Sequence, residues 1–196
     1  YLKDVNGDGV VNDLDKTPLF WSGSPLIHYG FNVEASWKNF DFYALFQGSA
    51  LYTVQFDEVY AKMLCFKGGN TPEYFYDRWH LSDPYDANSE WIPGEWPAIR
   101  LEQDMGSFYT RDSQIWRKNA SYLRLKTIEI GYTFSPRLMH KLGIGSLRIY
   151  ANGNNLFTVC APFVKAFDPE KIEGDYSAGL NYPLNKSFNF GLTLNF

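Results

Sequence analysis

The chain has 196 residues and a formal net charge of −4, which offers no basic face for nucleic acid. No apolar run approaches the roughly 20 residues of a transmembrane helix. A mean hydropathy of −0.33 suits a soluble protein, yet it equally suits a membrane β-barrel, whose strands are apolar on one face only.

Tyr1 opens the chain without an initiator Met or signal peptide, as expected of a mature or excised segment of something longer. Residues 4–15 then read DVNGDGVVNDLD, the spacing of a twelve-residue calcium loop. Asp4, Asn6 and Asp8 fall at positions one, three and five. Gly9 falls at the sharp turn, the Val10 carbonyl at position seven, Asn12 at nine and Asp15 at twelve. A hard cation wants many oxygen ligands, and carboxylates and amides alternating around a glycine supply them. A solvated acidic turn would not need oxygens at all five side-chain positions. Thr17-Pro18 and Gly23-Ser24-Pro25 follow, so no second helix is expected and the loop reads as a structural calcium clip. Calcium is the one cofactor expected.

Five segments alternate apolar and polar residues with the period of a half-buried strand. In 27–37, Tyr29, Phe31, Val33, Ala35 and Trp37 share a face. In 40–49, Phe40, Phe42, Ala44 and Phe46 do. Only Lys38 and Asn39 separate these runs, which predicts a hairpin with a tight turn. In 121–133, Leu123 and Leu125 are out of phase with Ile128, Ile130 and Tyr132. A bulge near Lys126–Thr127 would reconcile them; alternatively, the first part of this strand packs under loops. The fourth segment is 146–153, with Leu147, Ile149 and Ala151 on one face. The last is 187–196, where Phe188, Phe190, Leu192, Leu194 and Phe196 oppose Ser187, Asn189, Gly191, Thr193 and Asn195. That is the ~9–11 residues of a tilted membrane strand.

The connections alternate short and long: 38–39, then 50–120, then 134–145, then 154–186. Outer-membrane barrels have short periplasmic turns and long extracellular loops, whereas a soluble sandwich has no reason to sort its loops. The rule places residues 1–26 outside the cell and Phe196 at the periplasmic face. Five strands cannot close a barrel, so strands upstream are expected, and 1–196 reads as one C-terminal barrel segment. Its parts are an extracellular loop with the calcium motif (1–26), a hairpin (27–49), a long extracellular loop (50–120) and the last three strands (121–196).

Other features carry less chemistry. The 70–120 stretch holds Tyr74, Phe75, Tyr76, Trp79, Trp91, Trp96, Phe108, Tyr109 and Trp116. These could stack on sugars or a protein partner, with Trp79, Trp91 and Trp96 foremost, or form the loop's own small core. Cys65 and Cys160 fall in expected loops and need not pair. His28, His80 and His140 fit no metal spacing. Glu58, Glu73, Glu90, Glu95, Glu102 and Asp104 read as a solvated acidic set rather than a glycosidase pair, and no nucleophile elbow or phosphate-cradling loop appears. No catalytic role is expected.

Several blocks together resemble the SusC/RagA family of TonB-linked outer-membrane transporters. They are DVNGDGVVNDLDKTP at 4–18, GFNVEASWKNFDFYALFQGS at 30–49 and ASYLRLKTIEIGYTFSPRL at 120–138. LRIYANGNNLFT at 147–158, DPE at 168–170 and YPLNKSFNFGLTLNF at 182–196 complete the series. The resemblance implies an all-β fold, part of a 22-stranded antiparallel barrel with an N-terminal plug, in the outer membrane of a Gram-negative bacterium. It implies import of oligosaccharides or peptides with a SusD-like surface lipoprotein, powered by a TonB complex that engages N-terminal regions missing here. It also implies that Phe196 belongs to the signal read by the barrel-assembly machinery. The competing expectation is a secreted calcium-stabilised β-domain that binds glycans.

Overall fold

The computed structural model of the chain describes residues 3–18, 20–55, 73–98, 114–165, 167–170 and 182–196. Five long strands form one antiparallel sheet: β1 (Ile27–Trp37), β2 (Phe40–Ala50), β7 (Tyr122–Thr133), β8 (Ser146–Cys160) and β9 (Ser187–Asn195). Their order in the sheet is the order in the chain, as in an up-and-down meander. The short strands β3 (Thr53–Gln55) and β6 (Arg117–Asn119) pair with each other, as do β4 (His80–Leu81) and β5 (Trp91–Ile92). Two helices are brief: α1 (Pro136–Lys141) and α2 (Pro162–Lys165). No helix among the described residues is long and apolar enough to cross a membrane.

Register explains the two faces. Phe31 pairs with Phe46, Val33 with Ala44 and Ala35 with Phe42. Ala44 pairs with Ile128, Ile128 with Gly153, and Gly153 with Phe188. The apolar parity therefore runs unbroken across all five strands. The ladder holds because the expected bulge in β7 is present: Leu125 and Thr127 face the adjacent Phe46 and Leu45 of β2, which leaves Lys126 extra, while against β8 they face Phe157 and Asn154, so β8 carries an extra residue of its own. Without that extra residue, Leu123 and Leu125 would point to the polar side.

Two expectations are corrected. The fourth strand does not stop at 153 but continues to Cys160. Asn155 takes a left-handed backbone (φ 54°), absorbing the phase change that ended the sequence pattern. Cys160 therefore ends a strand rather than lying in a loop; Cys65 falls outside the described residues. The 134–145 connection also contains α1, whose Pro136 sits at the helix start, where its missing N–H costs nothing.

The two-residue turn puts Lys38 in the left-handed region (φ 56°). Around it Phe40 packs on Tyr132 with ring centroids 4.8 Å apart, Tyr132 meets Phe134 at 5.0 Å, and the Lys38 ammonium lies 4.6 Å from the Trp37 ring.

At the opposite end the β2–β7 pair kinks at Leu51 (φ 57°) and continues as β3–β6. This extension carries the only buried apolar cluster recorded among the described residues: Tyr52, Val54, Phe75, Trp96, Trp116, Ala120, Tyr122 and Val164. The core thus lies in the loop segments and at the adjoining end of β7, away from the middle of the sheet.

Candidate functional site

The apolar face of the sheet is bare. Phe31, Val33, Ile130, Ile149, Phe157, Phe188, Phe190 and Leu192 are all exposed, Phe190 at 85% and Leu192 at 67%. Soluble monomers rarely leave apolar patches beyond a few hundred Å² in water. A lipid-facing barrel wall has such a surface by construction.

The other face is polar and internally bonded. Arg148 on β8 donates to Asp41 on β2, two strands away, and to Glu129 on β7 at 2.7 Å. Asn152 donates to Glu129 at 3.3 Å, and Asn189 on β9 donates to Asn152 at 2.9 Å. Thr127 donates to Asn154, which in turn donates to Ser187. Glycines make room for the longer side chains. A Cβ on Gly131 would meet the Arg148 guanidinium and the Asp41 carboxylate, and one on Gly191 would meet the Tyr150 ring. Sequence reasoning did not single out this lattice. Its signal was present, since Asp41, Glu129, Arg148 and Asn152 all fall on the polar parity of their strands.

The 4–15 loop closes on itself. Asp4 accepts from the Gly7 amide at 2.6 Å and the Gly9 amide at 2.8 Å. Gly7 (φ 78°) and Gly9 (φ 84°) both occupy the left-handed region that the winding requires. Asn6 accepts from the Asp8 amide, and Asp8 from the Val10 amide. Asp15 ties end to beginning, accepting from Val5 at 2.7 Å and from Asn12 at 2.8 Å. The amides of Asn12, Val5 and Asn6 hold the Asp15 carboxyl below its usual pKa. Asn12 caps the 3-10 turn Asp13–Asp15, and among the described residues no α-helix follows before β1.

Among the described residues no group of three or more His, Cys, Asp and Glu side chains gathers as a metal cluster. Asp4, Asp8 and Asp15, expected around one ion, are thus not gathered as such a group, and the expected donors, with the Asn6 and Asn12 amides and the Val10 carbonyl, are all oxygens. That all-oxygen chemistry fits calcium and not a soft metal.

The three loop tryptophans part company. Trp96 is 3% exposed and lies at the centre of the loop core. It packs against Phe75 at 4.9 Å, Phe163 at 5.1 Å and Trp116 at 6.0 Å. Its expected place on a recognition surface is corrected: three aromatic rings bury it. Trp79 and Trp91 are each nearly half exposed. Trp91 sits on the β4–β5 hairpin, with exposed Ile92 beside it and Tyr85 at the tip. Phe108 and Tyr109 lie outside the described residues, as do Glu58, Glu102 and Asp104. Phe196 is exposed beyond β9, where the Gly145 amide donates to the Asn195 carbonyl at 2.8 Å.

No protein-family model matches the chain. Among curated proteins it is similar to TonB-dependent receptor P3 of Formosa agariphila, at 26% identity over 98% of this chain and 18% of the relative. TonB-dependent receptor P26 of the same organism is 27% identical over 98% of this chain and 19% of the relative. Among solved structures it resembles the RagAB peptide importer in its open-open state. There the identity is 26% and the TM-score 0.61, over 90% of this chain and 18% of that one. A structure of the RagAB peptide transporter matches with a TM-score of 0.66 at 24% identity, over 95% of this chain and 19% of that one. The chain thus spans about a fifth of the length of the relatives it matches. The likeness to TonB-linked transporters read from the sequence is borne out.

Proposed function

We propose, from the premise that nearly the whole chain is similar to TonB-dependent receptors, that it forms part of the barrel wall and surface loops of an outer-membrane nutrient importer. The observation that carries this reading is the unbroken apolar parity across β1, β2, β7, β8 and β9, left exposed on one side of the sheet. Phe31, Val33, Phe40, Phe42, Phe190 and Leu192 would contact lipid, and Asn32, Glu34, Asn189 and Thr193 would face the lumen. The rings at Trp37, Phe40, Tyr132 and Phe134 would then mark a membrane interface beside the short turns, where barrels carry aromatic girdles. The unpaired edges of β1 and β9 would be met by the remaining strands of a closed, 22-stranded barrel.

In this reading energy comes through TonB, and a SusD-like lipoprotein shares the substrate at the surface. The cargo is oligosaccharide or peptide, and the peptide importers among the neighbours favour peptide. Trp79 and Trp91 would serve the substrate or partner surface. Residues 4–15 would bind calcium through Asp4, Asn6, Asp8, Asn12, Asp15 and the Val10 carbonyl, holding the surface segment folded. The test of the importer reading is uptake of labelled peptides and oligosaccharides by cells carrying the full-length receptor, with and without its neighbouring lipoprotein. Uptake that needs neither TonB nor the lipoprotein would sink it.

A further inference from the structure

We propose that Arg124 and Lys126 form a releasable clasp that closes segment 168–170 over the polar face of the sheet. Arg124 pairs with Gln47 on β2 and Thr158 on β8, so it shares the face of Glu129 and Arg148. It is 3% exposed, and its main carboxylate partner Asp168 is 4% exposed. The guanidinium donates to Asp168 at 2.5 Å, to Glu170 at 2.8 Å and to the Thr158 hydroxyl at 2.9 Å. Lys126 donates to the second Glu170 oxygen at 2.7 Å.

Backbone contacts complete the closure. Asp168 accepts from the Leu184 amide at 2.7 Å, and the Tyr52 hydroxyl donates to the Pro169 carbonyl at 3.0 Å. Asp168 sits in the left-handed region (φ 60°), uncommon for a residue with a side chain. Two cations and two carboxylates therefore join the strands to one short segment between α2 and β9.

The choice of charges is informative. Well-packed apolar side chains would hold such a segment at least as firmly, because buried ions pay for their lost hydration. Opening an apolar closure leaves greasy surface in water, however, whereas opened carboxylates and cations are hydrated again. A planar guanidinium gripping fixed carboxylates also allows closure in one register only. A closure that is specific but cheap to open suits a segment that must lift and return. Its lifting would uncover Arg124, Lys126 and Thr158 on the polar wall. The loop core stays behind as the hinge side, because Phe163, Val164 and Phe167 pack into it and only residues 168–170 lift.

The experiment uses the full-length receptor in detergent, with Cys65→Ser and Cys160→Ser and a reporter Pro169→Cys, the proline being buried. Labelling by a charged maleimide reads exposure of the segment. Arg124→Gln should raise the labelling rate about ten-fold or more, and the pair Asp168→Asn with Glu170→Gln should do the same. The apolar triple Arg124→Met, Asp168→Leu and Glu170→Leu should label more slowly than the parent. Parent-like labelling in the amide variants would mean that the loop core alone holds the segment. Parent-like labelling in the apolar triple would mean that the closure does not release. Either result overturns the proposal. Because labelling is read in detergent, its outcome is independent of whether the receptor imports.

Discussion

Asp41 on β2 and Arg148 on β8 are bonded across the intervening strand β7, directly above Gly131. The bare Cα of Gly131 is what lets the two side chains meet over it. The pair is part-exposed, so its net worth is small, on the order of 1 kcal/mol or less. Gly131→Leu should displace the bridge and cost more than Asp41→Asn, because the leucine also intrudes on the polar face. Urea unfolding of the folded receptor in detergent would rank the two. An equal or reversed ranking would show that the glycine does not serve the bridge.

The loop core sets the second expectation. Trp96→Ala should cost ~3–5 kcal/mol, the usual range for removing a buried large aromatic, and should leave the surface loops protease-sensitive. Trp79→Ala and Trp91→Ala should leave protease resistance and surface expression unchanged while lowering uptake or lipoprotein capture. If all three lose expression and uptake together, the exposed pair has only a structural role.

Calcium binding is the third. Titration calorimetry should detect binding that Asp4→Ala and Asp8→Ala each weaken at least ~ten-fold, as loss of a charged ligand implies. Unchanged affinity in both would remove the site.

The pH dependence of the clasp follows from Asp168. Burial disfavours its charge, but hydrogen bonds from Arg124 and the Leu184 amide outweigh that and hold its pKa below the usual 3.8. A carboxylate depressed in the folded state stabilises at pH above its unfolded value and loses that contribution as pH falls through the folded one. Labelling at position 169 should therefore be flat from pH 7 to about pH 5 once corrected for thiolate content, and rise only below the ordinary carboxylate range. A rise already near pH 6 would point to another group.

How much of this was legible in the sequence depends on the range of the interaction. Period-two parity gave β1, β2 and β9 to within a residue, because one apolar face leaves register little freedom. The β7 bulge was readable from the phase break between Leu125 and Ile128. The second half of β8 was not, because Asn154-Asn155 looks like a turn and the left-handed Asn155 keeps the strand going instead. Trp96 and Trp79 are alike in the sequence. Which one is buried depends on Phe75, Trp116 and Phe163, the last of them far along the chain, and no local pattern reports that. The Arg124–Asp168 pair is hidden for the same reason.

The central claim, that the apolar face meets lipid and the polar face a lumen, is tested most directly by neighbouring charges on one strand. Leu192→Arg and Thr193→Arg differ by one position on β9 and by face. An arginine at the lipid midplane costs ~2–4 kcal/mol, while a lumen position tolerates it. Outer-membrane assembly of the full-length receptor, read by its heat-modifiable mobility, should fail or fall sharply for Leu192→Arg and stay near normal for Thr193→Arg. Equal assembly of the two, or the reverse order, would contradict the account.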